Sequence, residues 1–87
     1  MNRLVVFESV HQAIRAEKLM KKSGIHFDMV PTPREISASC GQSLAFDDAD
    51  SIVVKDIMEQ DKVLYRGIFS TDTRRHIYEL VHQGRTS

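Results

Sequence analysis

The order of apolar patterns along the 87 residues predicts a single domain of the α+β class. Three observations carry that prediction. Leu4-Val5-Val6-Phe7 is a continuous apolar, β-rich run, as expected of a central strand covered on both faces. Ile25, Phe27 and Met29 alternate with His26 and Asp28, and Leu44 and Phe46 alternate with Ser43 and Ala45, the period of half-buried strands. Between and after these lie stretches whose apolar residues recur at helical spacing.

Each element has its own punctuation. After the first strand, Ser9 and Gln12 stand at the spacing of a capping box. Val10, Ala13 and Ile14 begin the apolar face of a first helix, which Ala16, Leu19 and Met20 widen. Lys21 and Lys22 complement the dipole at its end and Gly24 stops it. Asp47, Asp48 and Asp50 load the start of a second helix with the negative charge its dipole favours. Ala49, Ile52, Val53 and Ile57 form the stripe predicted to be buried, flanked by Val54 and Met58. Val63 to Phe69 reads as a fourth strand, with Gly67 marking a bulge or a close approach. Beyond the polar break Ser70 to Thr73, the residues Arg74, Ile77, Leu80 and Val81 fall at helical spacing and predict a third helix.

The resulting order, β-α-β-β-α-β, is the ferredoxin-like split β-α-β plan over residues 1–69, with an extra C-terminal helix and tail over 70–87. Two helices cover one face of such a sheet and leave the other open, so the third helix is expected to cover the open face, in its own chain or in a homodimer. Phe7, Ile14, Leu19, Leu44, Phe46 and Ile57 are the expected core.

Composition narrows the function. Twelve basic and twelve acidic residues cancel, and no Lys/Arg run is interleaved with aromatics, which argues against nucleic acid and against a membrane surface as partners. No apolar run is long enough to span a bilayer and no secretory segment follows Met1, so a cytoplasmic location is expected. The single cysteine cannot form an internal disulfide, which fits a reducing compartment. His76 and His82 lie six apart, off the spacing of a helical ligand pair, and His11 with Cys40 supplies fewer ligands than a zinc site uses; no metal and no cofactor is expected.

The thiol lies in the most unusual stretch of the chain. Pro31 and Pro33 stiffen the exit from the second strand and disfavour helix at Val30 and Thr32. Past Arg34 the chain turns small and polar, and Cys40 is framed by Ser37, Ser39, Gly41 and Ser43. In the predicted plan this loop and the Ser9-Val10-His11 turn lie at one end of the sheet. The unpaired N–H groups of the helix start, with Arg34 and His11, would favour thiolate over thiol, and Gly41 would leave room for an approaching group. The competing reading is that Cys40 is a small packed hydrophobe.

Val6-Phe7-Glu8-Ser9 with His11, Ala16-Glu17-Lys18, Pro31-Thr32-Pro33-Arg34-Glu35-Ile36-Ser37 and Cys40-Gly41 together resemble a family of small bacterial proteins described as selenium/sulfur carrier-like. The resemblance spans roughly the first three quarters of the chain. It implies that Cys40 accepts sulfur as a persulfide, or selenium as the corresponding adduct, and passes it on. The partners implied are a donor protein, such as a cysteine desulfurase, and an acceptor enzyme, and the chain itself is a carrier rather than a free-standing enzyme. The alternative is a non-catalytic interaction module of the same fold with a structural cysteine.

Overall fold

The computed structural model describes residues 1–38 and 41–86. It is an α+β structure with the strands β1 (Arg3–Phe7), β2 (Phe27–Pro31), β3 (Gln42–Phe46), β4 (Tyr65–Asp72) and β5 (Ile77–Arg85), and the helices α1 (Val10–Ser23) and α2 (Ser51–Gln60). The five strands form one sheet in the order β2-β3-β1-β4-β5, and every neighbouring pair is antiparallel. β1 is the centre, with Val5 opposite Leu44 of β3 on one side and Ile68 of β4 on the other.

One face of the sheet carries the core. Val5, Phe7, Leu44, Phe46, Tyr65 and Ile68 pack with Ala13, Ala16 and Met20 of α1 and Val54 and Met58 of α2, all fully buried. Leu19 and Ile57 pack against this cluster while partly exposed, as do Ile25, Phe27 and Met29. The small residues Ala13 and Ala16 let α1 lie close to the sheet.

Local chemistry sets the helix ends. The Ser9 hydroxyl accepts from the Gln12 backbone N–H at 3.4 Å, which is half of the capping box. The other half is not made with Ser9: the Gln12 side-chain oxygen accepts from the Leu64 N–H instead, at 3.1 Å, joining the start of α1 to the approach to β4. At the far end Gly24 adopts φ 77°, a left-handed conformation suited to glycine, and closes the helix with an N–H bond to the Lys21 carbonyl.

Two helical phases differ from expectation. Ile14 is 45% exposed, and in α2 Ile52 and Val53 are 73% and 45% exposed while Val54 and Met58 are buried. For α2 the reason lies ahead of the helix. Asp48–Asp50 form a 3-10 turn, and Asp47 and Asp48 are engaged by the N-terminal segment: the terminal amine reaches Asp47 at 3.5 Å and Arg3 Nε reaches Asp48 at 3.2 Å, while the Ser51 hydroxyl at the start of α2 donates to the same Asp48 oxygen at 3.1 Å. α2 therefore begins at Ser51, with Val54 and Met58 on the side facing the sheet.

The predicted C-terminal helix is a strand. Ile77–Arg85 runs back along β4 from Asp72↔Ile77 to Tyr65↔Arg85, with an irregularity between Ile68 and Phe69. His76 and His82 consequently lie on a turn and a strand, not on one helix. Isoleucine, leucine and valine at positions 77, 80 and 81 satisfy a helical spacing, but the neighbouring β4 edge supplies partners for the whole segment, and tertiary pairing overrides local pattern. Glycine permits the close fit: a Cβ at Gly84 would collide with the Tyr65 carbonyl oxygen and the Arg66 backbone.

β5 is also tied to α2. The Tyr65 hydroxyl donates to Glu59 at 3.4 Å, Arg85 pairs with the other Glu59 oxygen at 3.1 Å, and the His82 ring stacks on Tyr65 with centroids 6.3 Å apart. Burial, followed by the charge of Glu59 and the hydrogen bond to it, pushes the Tyr65 phenol up to about 12 from its ordinary 10.0. Between those two values the unfolded chain has released this proton and the folded chain still holds it, so stability falls as pH rises from 10.0 to about 12 and is unaffected by this group below that window. Unfolding midpoints measured across the window should therefore fall more steeply for the native sequence than for Tyr65→Phe; parallel curves would contradict the burial of this phenol.

Candidate functional site

The sequence points to the loop between β2 and β3. Its base is a continuation of the hairpin: Pro31 pairs with Gln42, and the Thr32 N–H donates to the Gly41 carbonyl at 3.1 Å. The Thr32 and Ser43 hydroxyls lie 2.6 Å apart. Pro31 and Pro33, lacking N–H groups, continue no ladder beyond this point. The Ile36 and Ser37 N–H groups then both donate to the Pro33 carbonyl, at 3.0 and 3.1 Å, so residues 33–37 wind into a tight turn.

That turn folds back over the sheet face opposite the helices. Ser43 sits on this face beside Val6, its register partner, and both are fully buried although no helix covers them. Pro33 joins Leu4, Val30, Ala45, Thr71 and Tyr78 in lining a groove of about 230 Å³ on the same face. At the tip, Glu35 lies 3.8 Å from the His76 imidazole in the β4–β5 turn. Since Ser70 of β4 stands opposite Arg3 while Tyr65 stands opposite Phe7, that turn is at the Arg3 end of β1. The loop thus starts at one end of the sheet and reaches towards the other. It takes part of the role expected of a third helix, and nothing in the sequence pattern signalled it except the two prolines that redirect the chain.

The predicted site residues divide along this path. Ser9 and His11 are exposed and lie just past the end of β1, and Gly41 is exposed beside the start of β3; because Val6 pairs with Ser43, these residues share one end of the sheet. Arg34 is exposed in the loop turn and is followed by Glu35 at the His76 contact, which leads away from that end. Ser37 is buried, and among the described residues a Cβ at Gly41 would meet nothing within 4 Å. Ser39 and Cys40, on which the expectation of a reactive thiol falls, lie outside the described residues.

The electrostatics of the shared end are those of an uncompensated helix start. α1 has no acidic residue in its first turn, and the acid just before it, Glu8, stands 3.8 Å from Arg66. The positive end of the helix dipole is thus available to an anion brought to it. Among the described residues no group of three or more His, Cys, Asp and Glu side chains could hold a metal ion, and no helix is long and apolar enough to cross a membrane.

Residues 2–70 match the profile of a family described as "Putative Se/S carrier protein-like". The match takes in β1 to β3, both helices and the whole proline loop, and stops within β4, so the β5 return lies beyond it. No curated protein and no solved structure matches the chain.

Proposed function

The chain belongs to the Se/S carrier-like family, and we propose that it carries a sulfur or selenium atom on Cys40 between a donor protein and an acceptor enzyme. The observation that supports this reading most is that the family match spans the loop holding the only cysteine of the chain. The chemistry balances without an external oxidant. The Cys40 thiolate attacks the terminal sulfur of a persulfide on the donor; a new S–S bond forms on Cys40, the donor's S–S bond breaks, and the donor cysteine departs as a thiolate that takes up the proton Cys40 released. The acceptor enzyme removes the atom by the same exchange in reverse, and a selenium adduct follows the same path.

In this reading the flanking residues assist the sulfur anion. Ser9 and His11 at the start of α1 and Gly41 at the base of the loop form the end where transfer occurs, with Ser37 and Ser39 as the polar frame and Arg34 as an exposed positive charge in the loop turn. A cytoplasmic location suits a chain that must keep its thiol reduced. The fold, two helices on one face of a sheet in which β3 lies between β1 and β2, is read as the ferredoxin-like plan with a fifth strand added.

The test is the intact mass of the native chain after incubation with a cysteine desulfurase and cysteine. One sulfur atom should be gained, and reductant should remove it. A mass unchanged under donor, and unchanged also with inorganic polysulfide, would overturn the carrier reading and favour the interaction module.

A further inference from the structure

Two exposed apolar residues of α1 lie along the flank of its buried face. Val10 is 52% exposed and Ile14 is 45% exposed, at i, i+4 spacing, beside the side that buries Ala13, Ala16 and Met20. Both are β-branched residues that helix propensity does not favour. Continuing this exposed stripe by four residues leads to Lys18, and Lys21 and Lys22 complete it. The acid beside it is Glu17, which is committed to Lys21 at 3.8 Å, and on the flank towards α2 Arg15 is held by the Asp61 and Lys62 carbonyls. The stripe is therefore apolar at its start and basic at its end. Its apolar half begins one residue after Ser9, at the end of the sheet that also holds Gly41.

We infer that the exposed stripe of α1, from Val10 to Lys22, docks the protein that loads Cys40, and that this partner presents an apolar patch bordered by carboxylates. The inference rests on the carrier reading above. A surface of two aliphatic side chains and three lysine stems is at the small end of specific interfaces, which suits a carrier that must leave its donor. The lysines steer the encounter and Val10 and Ile14 supply the contact that holds it beside the loop.

The experiment compares two sulfur sources on the full chain, a purified cysteine desulfurase with cysteine and inorganic polysulfide, with loading read by intact mass. Ile14→Ser and the double variant Lys18→Glu/Lys22→Glu alter exposed positions, and their unfolding midpoints are measured alongside. Enzyme-dependent loading should fall about tenfold or more in both variants, equivalent to roughly 1.4 kcal/mol of lost contact, and should weaken with added salt in the native chain. Loading by polysulfide should not change. Equal loading of native and variant chains by the enzyme, or enzyme loading absent where polysulfide succeeds, would overturn the docking surface. So would a concentration-dependent dimer that Ile14→Ser dissociates without slowing enzyme loading, since the stripe would then bind a second copy. A native chain that gains no sulfur from either source would instead overturn the carrier reading.

Discussion

Cys40→Ser is expected to abolish sulfur loading entirely while leaving the unfolding free energy within about 0.5 kcal/mol of the native chain. The chain has one cysteine, so no second thiol can take over the role. Serine is close to cysteine in size and shape, yet its hydroxyl is far weaker as an anion and as a nucleophile near neutral pH, and it cannot hold a sulfur atom in exchangeable form. The fold should persist because the main core cluster, from Val5 to Ile68, lies on the helix-covered face of the sheet, away from the loop turn. The measurement is intact mass after exposure to desulfurase and cysteine, with thermal unfolding on the same samples. A serine variant that still gained reductant-sensitive mass would place the adduct elsewhere and end the carrier reading.

Much of the framework was legible because several signals agreed at each element. The first strand, with apolar residues at four consecutive positions, is the central strand, and its neighbours bury both faces of it. Ser9 does cap α1 and Gly24 does end it. Reading failed where spacing alone was asked to choose between helix and strand, or to fix a helical phase. Ile77, Leu80 and Val81 fit a helix, yet they lie on a strand along β4 and remain substantially exposed. Ile14 is expected in the core because it is apolar, although Ala13, Ala16 and Met20 define the buried side, and smaller alanines pack closer than larger residues allow. Pattern gives the period; which phase faces the sheet depends on the neighbour.

The site was legible in a different sense. Two prolines told that the chain leaves β2 abruptly, and helix-start chemistry raised the expectation of an anion near Ser9. That Ser9, His11 and Gly41 share one end of the sheet follows from the strand pairing, which the predicted element order anticipated. The path of Arg34 was not foreseeable: the contact of Glu35 with His76 joins residues far apart in sequence, and one of them was expected on a helix. A loop that covers a sheet face announces itself in sequence only by its stiffness.

Phe7→Ala should be among the most destabilising substitutions in the chain, at about 3–5 kcal/mol, with Leu44→Ala at about 2–5 kcal/mol. Phe7 is fully buried at the end of the central strand, opposite Tyr65, and packs within the cluster shared by both helices. β4 pairs with Phe7 at Tyr65 and β3 holds the preceding Val6 at Ser43, so the backbone has little freedom to move into the space a benzyl group leaves. The cavity therefore remains, and its cost adds to the lost burial of the ring. A loss of this size is a large share of the roughly 5–15 kcal/mol that holds a small domain folded. Ile14→Ala provides the contrast: at 45% exposure the side chain has little burial to lose, and alanine is the better helix former, so the change should cost well under 1 kcal/mol. Denaturant midpoints for the three variants decide the matter, since the slope should be common to all if each unfolds from the same native state. A Phe7→Ala midpoint no lower than that of Ile14→Ala would mean that the core lies elsewhere than between β1, α1 and α2.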